Sequence, residues 1–292
     1  MNARVLLLGS GGQVGRELRS TLLALGDVHA YNHAELDIAD FDLLRERIRV
    51  LSPTLIVNAA AYTDVDGAER APELALRSNA EAPGVLAEEA RRLGALLVHF
   101  STDYVFNGMK GTPYHEQDAV APVNGYGRSK LAGEQAIGAV GARALILRTS
   151  WVYATRGRNF VLSMLRLARE REEIQMVDDQ FGSPTWSAVL AVVTAQMLAH
   201  PAAHDGGLYH VAGGGRASRI DLARWVLQNR PPHVPMPALI AIPSSDYPLP
   251  ARRPDDTSLD CTALQRAFGL CLPPWQRALE RCLEELAEIG AP

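Results

Sequence analysis

A phenol, an amine and a hydroxyl carry the chemistry that this sequence offers. Tyr126 and Lys130 lie four residues apart in Tyr126-Gly127-Arg128-Ser129-Lys130, and Lys130 is one of only two lysines in a chain with 27 arginines. Arginine already supplies the general positive charge, so a lysine at this place speaks for a need for an amine. On a helix, residues 126 and 130 fall one turn apart on one face. A tyrosine ionises near ~10 in water, and a neighbouring cation favours the phenolate and makes the phenol a better proton donor. Thr102 lies 24 residues upstream and is followed by Asp103. A hydroxyl that donates to a carbonyl oxygen, a tyrosine that protonates it, and a lysine that lowers the tyrosine pKa and grips a ribose make a proton-and-hydride transfer site.

A hydride needs a carrier, and the N-terminal region is written like a cradle for one. The apolar run at residues 5–8 leads into Gly9-Ser10-Gly11-Gly12-Gln13-Val14-Gly15, and Val14, Leu18, Leu22 and Leu25 then recur at helical spacing. Strand, glycine turn and helix in that order predict a dinucleotide site. Gly9 permits the tight turn, Gly12 lets the backbone approach a pyrophosphate, Gly15 lets the helix pack closely, and the helix N-terminus faces the phosphates.

The elements that must hold these parts follow from alternation. Apolar runs at residues 5–8, 28–31, 55–57, 96–100 and 144–147 read as strands, with amphipathic helices between them. This predicts an α/β fold with a doubly wound parallel sheet whose ligands sit at the carboxyl ends of the strands. Beyond residue 150 glycines and prolines cluster, and short strands are expected at residues 174–177, 208–211 and 239–242. The expected organisation is a Rossmann domain over residues 1–150, which some later segments rejoin, and a smaller α/β substrate domain over residues 151–292.

Composition narrows the function classes. The chain has 292 residues, 47% hydrophobic and 21% charged, with net charge -4. It has no basic block to suit nucleic acid or anionic lipid. The longest largely apolar run, residues 188–199, is too short to span a bilayer, and a cytoplasmic protein is expected. Cys261, Cys271 and Cys282 are odd in number and are expected to be reduced buried thiols. No Cys/His cluster predicts a metal. His99 and His210 read as core histidines, His204-Asp205 as loop, and Ser218 with Asp221 as a capping box. Arg252-Arg253 suits a diphosphate or a plain surface equally well.

These residues resemble the extended short-chain dehydrogenase/reductase superfamily, whose hallmark is the Thr/Tyr/Lys set. More narrowly, they resemble the family of dTDP-4-dehydrorhamnose reductases. Gly12-Gln13-Val14-Gly15, Asn58-Ala59-Ala60-Ala61, Ser101-Thr102-Asp103-Tyr104-Val105-Phe106, residues 126–134, Arg148-Thr149-Ser150-Trp151 and Asp179-Gln180-Phe181-Gly182-Ser183-Pro184-Thr185 carry the likeness. The resemblance implies reduction of the C4 keto group of a dTDP-6-deoxy-4-keto sugar, with Tyr126 as proton donor, Lys130 as ribose clamp, and Thr102, Asp103 and Trp151 against the sugar nucleotide. Gly9, Gly12, Gln13, Val14, Gly15, Asn32, Asp37, Ile38, Ala61, Tyr62 and Thr63, with Tyr126 and Lys130, are the implied cofactor contacts. Relatives can carry an Asp after the second strand. Asn32 stands there instead and does not repel a 2′-phosphate as a carboxylate would, which favours NADPH, with NADH as the alternative. Some relatives form a magnesium-linked dimer on acidic residues after the Pro-Thr step. Here Trp186-Ser187-Ala188-Val189 supplies no carboxylate, which speaks against bound Mg2+ and leaves monomer and homodimer both open. The competing readings are another nucleotide-sugar 4-ketoreductase, an epimerase or dehydratase of the same fold, and a non-catalytic cofactor-binding regulatory subunit.

Overall fold

The computed structural model describes residues 3–289. Its main element is a six-stranded parallel sheet built from the short apolar runs: β1 (Ala3–Leu8), β2 (Gly26–Tyr31), β3 (Leu55–Asn58), β4 (Leu96–Thr102), β5 (Ala144–Thr149) and β6 (Gly207–His210). Side chains alternate between the faces of a strand. Val5 and Leu7 accordingly join one core, with Leu18, Leu190 and Leu264, while Leu6 and Leu8 join another, with Leu44, Leu86 and Ile137. All four side chains are completely buried, each contributing about 1.5–3 kcal/mol of transfer free energy.

The first face is covered by α1 (Gln13–Thr21), α6 (Ser187–Ala199) and α8 (Thr262–Phe268), and the second by α2 (Phe41–Leu51), α3 (Ala82–Leu93) and α4 (Gly125–Val140). Strand order is β2-β1-β3-β4-β5-β6, so the chain reverses its direction of travel across the sheet between β1 and β3. The loops leaving these strands diverge and open a crevice at their carboxyl ends.

A second core lies outside the sheet. Val161 and Leu165 of α5 (Phe160–Glu170), Leu222 and Val226 of α7 (Arg219–Gln228), and Trp275, Leu279 and Leu283 of α9 (Trp275–Glu288) close on Tyr153. The strands read at residues 174–177 and 239–242 pair in parallel here, as Glu173–Val177 with Ala238–Ile242. The third short strand goes elsewhere: β6 pairs with β5 on the large sheet, and the following Val211 enters the core beneath it. Ser218 and Asp221 form the capping box of α7. One thiol expectation needs correction: Cys282 is buried and Cys261 partly so, but Cys271 is exposed, because it follows the Gly269 cap of α8 rather than lying within an element. No helix of the described residues is long and apolar enough to cross a membrane.

Candidate active site

The crevice at β1 and β3 is built almost wholly from backbone. Gly9 has φ +78°, and a Cβ there would lie 2.5 Å from Ala60 N and 2.7 Å from Ala59 C. Neither the turn nor its packing on the end of β3 admits a side chain. A Cβ on Gly15 would collide with the Gly9 carbonyl, so α1 presses directly on the turn. Gly12 caps α1 with no side-chain hydrogen bond, and the first turn contains no acidic residue. The first amides of Gln13, Val14 and Gly15 are left as donors at the positive end of the helix, which suits a pyrophosphate. Gln13 Oε1 is buried without a partner among the described residues, while its Nε2 reaches the Arg158 carbonyl at 3.4 Å.

Beyond β3, Tyr62 is held by a residue that sequence reasoning missed. Asn79 is completely buried; its Oδ1 accepts from Tyr62 N at 2.8 Å, and its Nδ2 donates to Tyr62 O and Ser129 Oγ, both at 2.9 Å. One amide thus ties the segment containing Ala61, Tyr62 and Thr63 to α4. After β2, Asn32 Oδ1 accepts from Ala34 N and Glu35 N, and Asp37 Oδ1 accepts from Ala39 N. Ile38 is buried in the core beneath them. The Glu35 carboxylate accepts from Asn32 N at 2.8 Å, so this turn carries a negative charge even though Asn32 itself has none.

The second half of the site is made of side chains. Asn124 caps α4 through Gly127 N at 2.8 Å and holds the Arg252 carbonyl at 2.8 Å, fixing the helix start against the C-terminal segment. Tyr126 then faces Tyr104 edge-on with ring centroids 6.1 Å apart. Thr102, at the end of β4, is 6% exposed; its hydroxyl donates to Asp103 Oδ1 at 3.1 Å and accepts from Tyr104 N.

Here the structure corrects the expected electrostatics. Burial pushes the Tyr126 phenol above its ordinary value, with Asp103 and Tyr104 adding to the rise and Thr102 opposing it. Lys130 does not act on the phenol in this arrangement. Its Nζ is turned down to the Phe100 carbonyl at 2.6 Å and lies 3.3 Å from His99 Nε2. Burial pushes Lys130 down to about 8, against the pull of Glu134. His99 is therefore more than the bland core histidine of the sequence reading. His210 fits that reading better, with Nδ1 between the carbonyls of Tyr114 and Asp260.

Asp103 is the node that joins the two cores. Only 3% exposed, its Oδ2 accepts from Ser150 Oγ at 2.9 Å and from Thr257 Oγ1 at 2.5 Å. Burial pushes it up to about 6, although those hydroxyls, Thr102 and Arg219 all favour the charged form.

Trp151 has φ 46°, a left-handed conformation that costs an ordinary residue about 1–2 kcal/mol. Its indole lies over Gly182, where a Cβ would come within 2.5 Å of the ring. The Arg219 guanidinium stacks 3.5 Å above the Trp151 ring, with the Tyr104 phenol and the Asp103 carboxylate near enough to favour its charge. Its arginine neighbours are neutralised, Arg253 by Asp66 at 2.6 Å and Arg216 by Asp256 at 2.8 Å. Arg219 has no ion-paired carboxylate among the described residues. Pairing with Asp66 also removes Arg253 from the free cations that the Arg252-Arg253 motif offered. Among the described residues no group of three His, Cys, Asp or Glu side chains stands close enough to hold a metal ion.

Residues 3–288 match the family model described as the RmlD substrate binding domain. The dTDP-4-dehydrorhamnose reductase of Escherichia coli strain K12 is 44% identical over 292 residues, covering 97% of each chain. The chain belongs to the dTDP-4-dehydrorhamnose reductase family. The Burkholderia thailandensis member is 42% identical, covering 97% of this chain and 99% of its own. Among solved structures, the dTDP-4-dehydrorhamnose reductase of Bacillus anthracis in complex with NADP is 34% identical and superposes with a TM-score of 0.91, covering 98% of this chain and all of that one.

Proposed function

We propose that the chain reduces the C4 keto group of dTDP-4-dehydro-L-rhamnose to give dTDP-L-rhamnose, using NADPH or NADH. The observation that carries this reading is the pairing of an uncapped, glycine-lined helix N-terminus with Tyr126, Thr102 and Lys130 at the neighbouring strand ends, in a chain of this family. When bound, the reduced nicotinamide supplies the hydride.

The rest of the work falls to the chain's own residues. Gly12, Gln13, Val14 and Gly15 hold the pyrophosphate; Gly9 shapes the turn; Ala61, Tyr62 and Thr63 line the crevice; Asn32, Asp37 and Ile38 border the adenosine end; Lys130 grips the nicotinamide ribose. Tyr126 gives its proton to the C4 oxygen as negative charge develops there. The raised pKa keeps the phenol protonated until that moment, and a proton acceptor as basic as an alkoxide makes a neutral phenol an adequate acid. Thr102 steadies the phenol and Asp103 anchors Thr102. Trp151 offers an apolar face to the deoxysugar, and Arg219 meets the diphosphate, where charge-assisted hydrogen bonds are strongest.

In this reading residues 1–150, with the returning segments around β6, α6 and α8, bind the dinucleotide, and the second core binds the sugar nucleotide. The reaction belongs in the cytoplasm and calls for no nucleic acid or membrane partner. Incubation with NADPH and a panel of dTDP-, UDP- and GDP-linked 4-keto-6-deoxysugars tests it. One NADPH oxidised per dTDP-4-dehydro-L-rhamnose is expected. Sugar conversion without net NADPH loss would instead identify an epimerase or dehydratase.

A further inference from the structure

His99, Asn58 and Lys130 form a buried chain of hydrogen bonds whose direction can be worked out from its fixed end. Asn58 Oδ1 accepts from Ala60 N at 3.1 Å, so the amide nitrogen must face the other way. That nitrogen lies 3.1 Å from His99 Nδ1 and donates to it. Asn58 and His99 are each 1% exposed, which leaves no bulk water to substitute for either partner. Burial, and after it Lys130, holds the imidazole well below its ordinary pKa, so the ring is neutral and has a single N–H. With Nδ1 accepting, that hydrogen sits on Nε2, which faces Lys130 Nζ at 3.3 Å.

An ammonium has three donors and no acceptor. Opposite an N–H it is repelled, whereas a neutral amine accepts from Nε2–H and still donates to the Phe100 carbonyl at 2.6 Å. The chain from Ala60 N–H through Asn58 and His99 to Lys130 and Phe100 O closes only when the lysine is an amine. We propose that His99 is a positioning residue for Lys130: its Nε2–H, oriented by Asn58, opposes the ammonium and keeps the lysine an amine at pH values where an ordinary lysine is charged.

The other charged and titratable groups around Lys130 do not supply this effect. Glu134, one turn along α4, favours the ammonium, but its carboxylate is engaged by Arg148 of β5 at 2.7 and 2.9 Å and by Ser101 of β4 at 2.5 Å. Asp103 is taken up by Ser150 and Thr257. Tyr126, on the same helix, is held neutral by burial. The push toward about 8 that burial gives Lys130 acts in the same sense as the proposed His99 contact.

The chain's two lysines make the test direct. In protein labelled with [13C,15N]lysine, the Lys110→Arg variant leaves Lys130 as the only lysine signal, and its side-chain 13C shift can be followed from pH 6 to 11. Lys130 is expected to titrate more than one pH unit below the ~10.4 of a free lysine side chain, and His99 is expected to carry its proton on Nε2 in the long-range 15N–1H spectrum. His99→Gln presents a carbonyl to the ammonium, and Asn58→Asp recruits the imidazole proton to Nδ1. Each should raise the Lys130 midpoint by at least half a unit. Because Asn58→Asp leaves the imidazole in place, it serves if His99→Gln does not fold. A proton on Nδ1 in the unsubstituted protein, or a Lys130 midpoint unmoved by either substitution, would overturn the proposal. The proposed function only gives Lys130 its use; these titrations involve no substrate, so their failure would leave the reductase reading intact, and the reverse holds too.

Discussion

The two halves of the site are made from different materials. The pyrophosphate end of the cofactor half is a stretch of seven consecutive residues whose donors are backbone amides and whose shape is set by the absence of side chains at Gly9 and Gly15. The substrate half is a set of buried and half-buried side chains drawn together from distant points: Thr102 at the end of β4 and Asp103 just after it, Ser150 and Trp151 after β5, Arg219 from α7 and Thr257 near the C-terminus. A site made of one turn tolerates little local change but depends on little else. A site made of four separate segments depends on the packing of two cores. Substitutions should therefore separate the halves cleanly.

The largest effect of this kind is expected at Gly9. Gly9→Val demands a positive φ of a β-branched residue and drives Cβ into the backbone of Ala59 and Ala60, a cost of several kcal/mol by the usual scale of such strain. Calorimetry should register at least a hundredfold loss of NADPH affinity, with the second core still folded as judged by intrinsic tryptophan fluorescence, since Trp151, Trp186, Trp225 and Trp275 all lie in or against that core.

Asp103 comes next. Its pKa, raised to about 6, exceeds the ~3.9 of an unfolded chain, so its contribution to stability is greatest below about pH 4 and is lost as pH rises through about 6. The loss amounts to up to about 3 kcal/mol. Urea denaturation across that window should show this falling component in the unsubstituted protein and its removal in Asp103→Asn; identical pH slopes would mean the carboxylate is not buried as described.

Arg219 should give a smaller and more selective change. Arg219→Ala is expected to weaken dTDP binding about 10- to 100-fold, the worth of a charge-assisted contact, while deoxythymidine and NADPH bind as before. Equal losses for dTDP and deoxythymidine would place the diphosphate elsewhere.

The same contrast explains what the sequence revealed. Strands built on short apolar runs, the glycine turn and the Tyr126/Lys130 spacing are local patterns, and β1 to β5 and the helix that carries Tyr126 form where they were expected, whereas the strand read at residues 208–211 joins the large sheet. Arg219 was invisible because its neighbours Trp151 and Tyr104 lie 68 and 115 positions away in the chain, and nothing in Ser218-Arg219-Ile220 marks the arginine as unpaired. Asn79 and Thr257 were missed for the same reason. The direction of Lys130 was misread because a one-turn spacing fixes which face a side chain leaves from but not where a long, flexible amine ends. The Phe100 carbonyl, on another element, decides that. Glu35 at the Asn32 turn was legible in principle, three residues on, and would have tempered the inference that the turn is free of negative charge.

The central claim is that Tyr126 is the proton donor in a site whose cofactor half is independent of it. Single-turnover reduction of dTDP-4-dehydro-L-rhamnose by the NADPH-loaded Tyr126→Phe variant tests it most directly. The expected result is an unchanged NADPH dissociation constant with the rate of nicotinamide oxidation reduced about 10²- to 10⁴-fold, the usual contribution of a general acid. Oxidation at close to the unsubstituted rate would contradict the account.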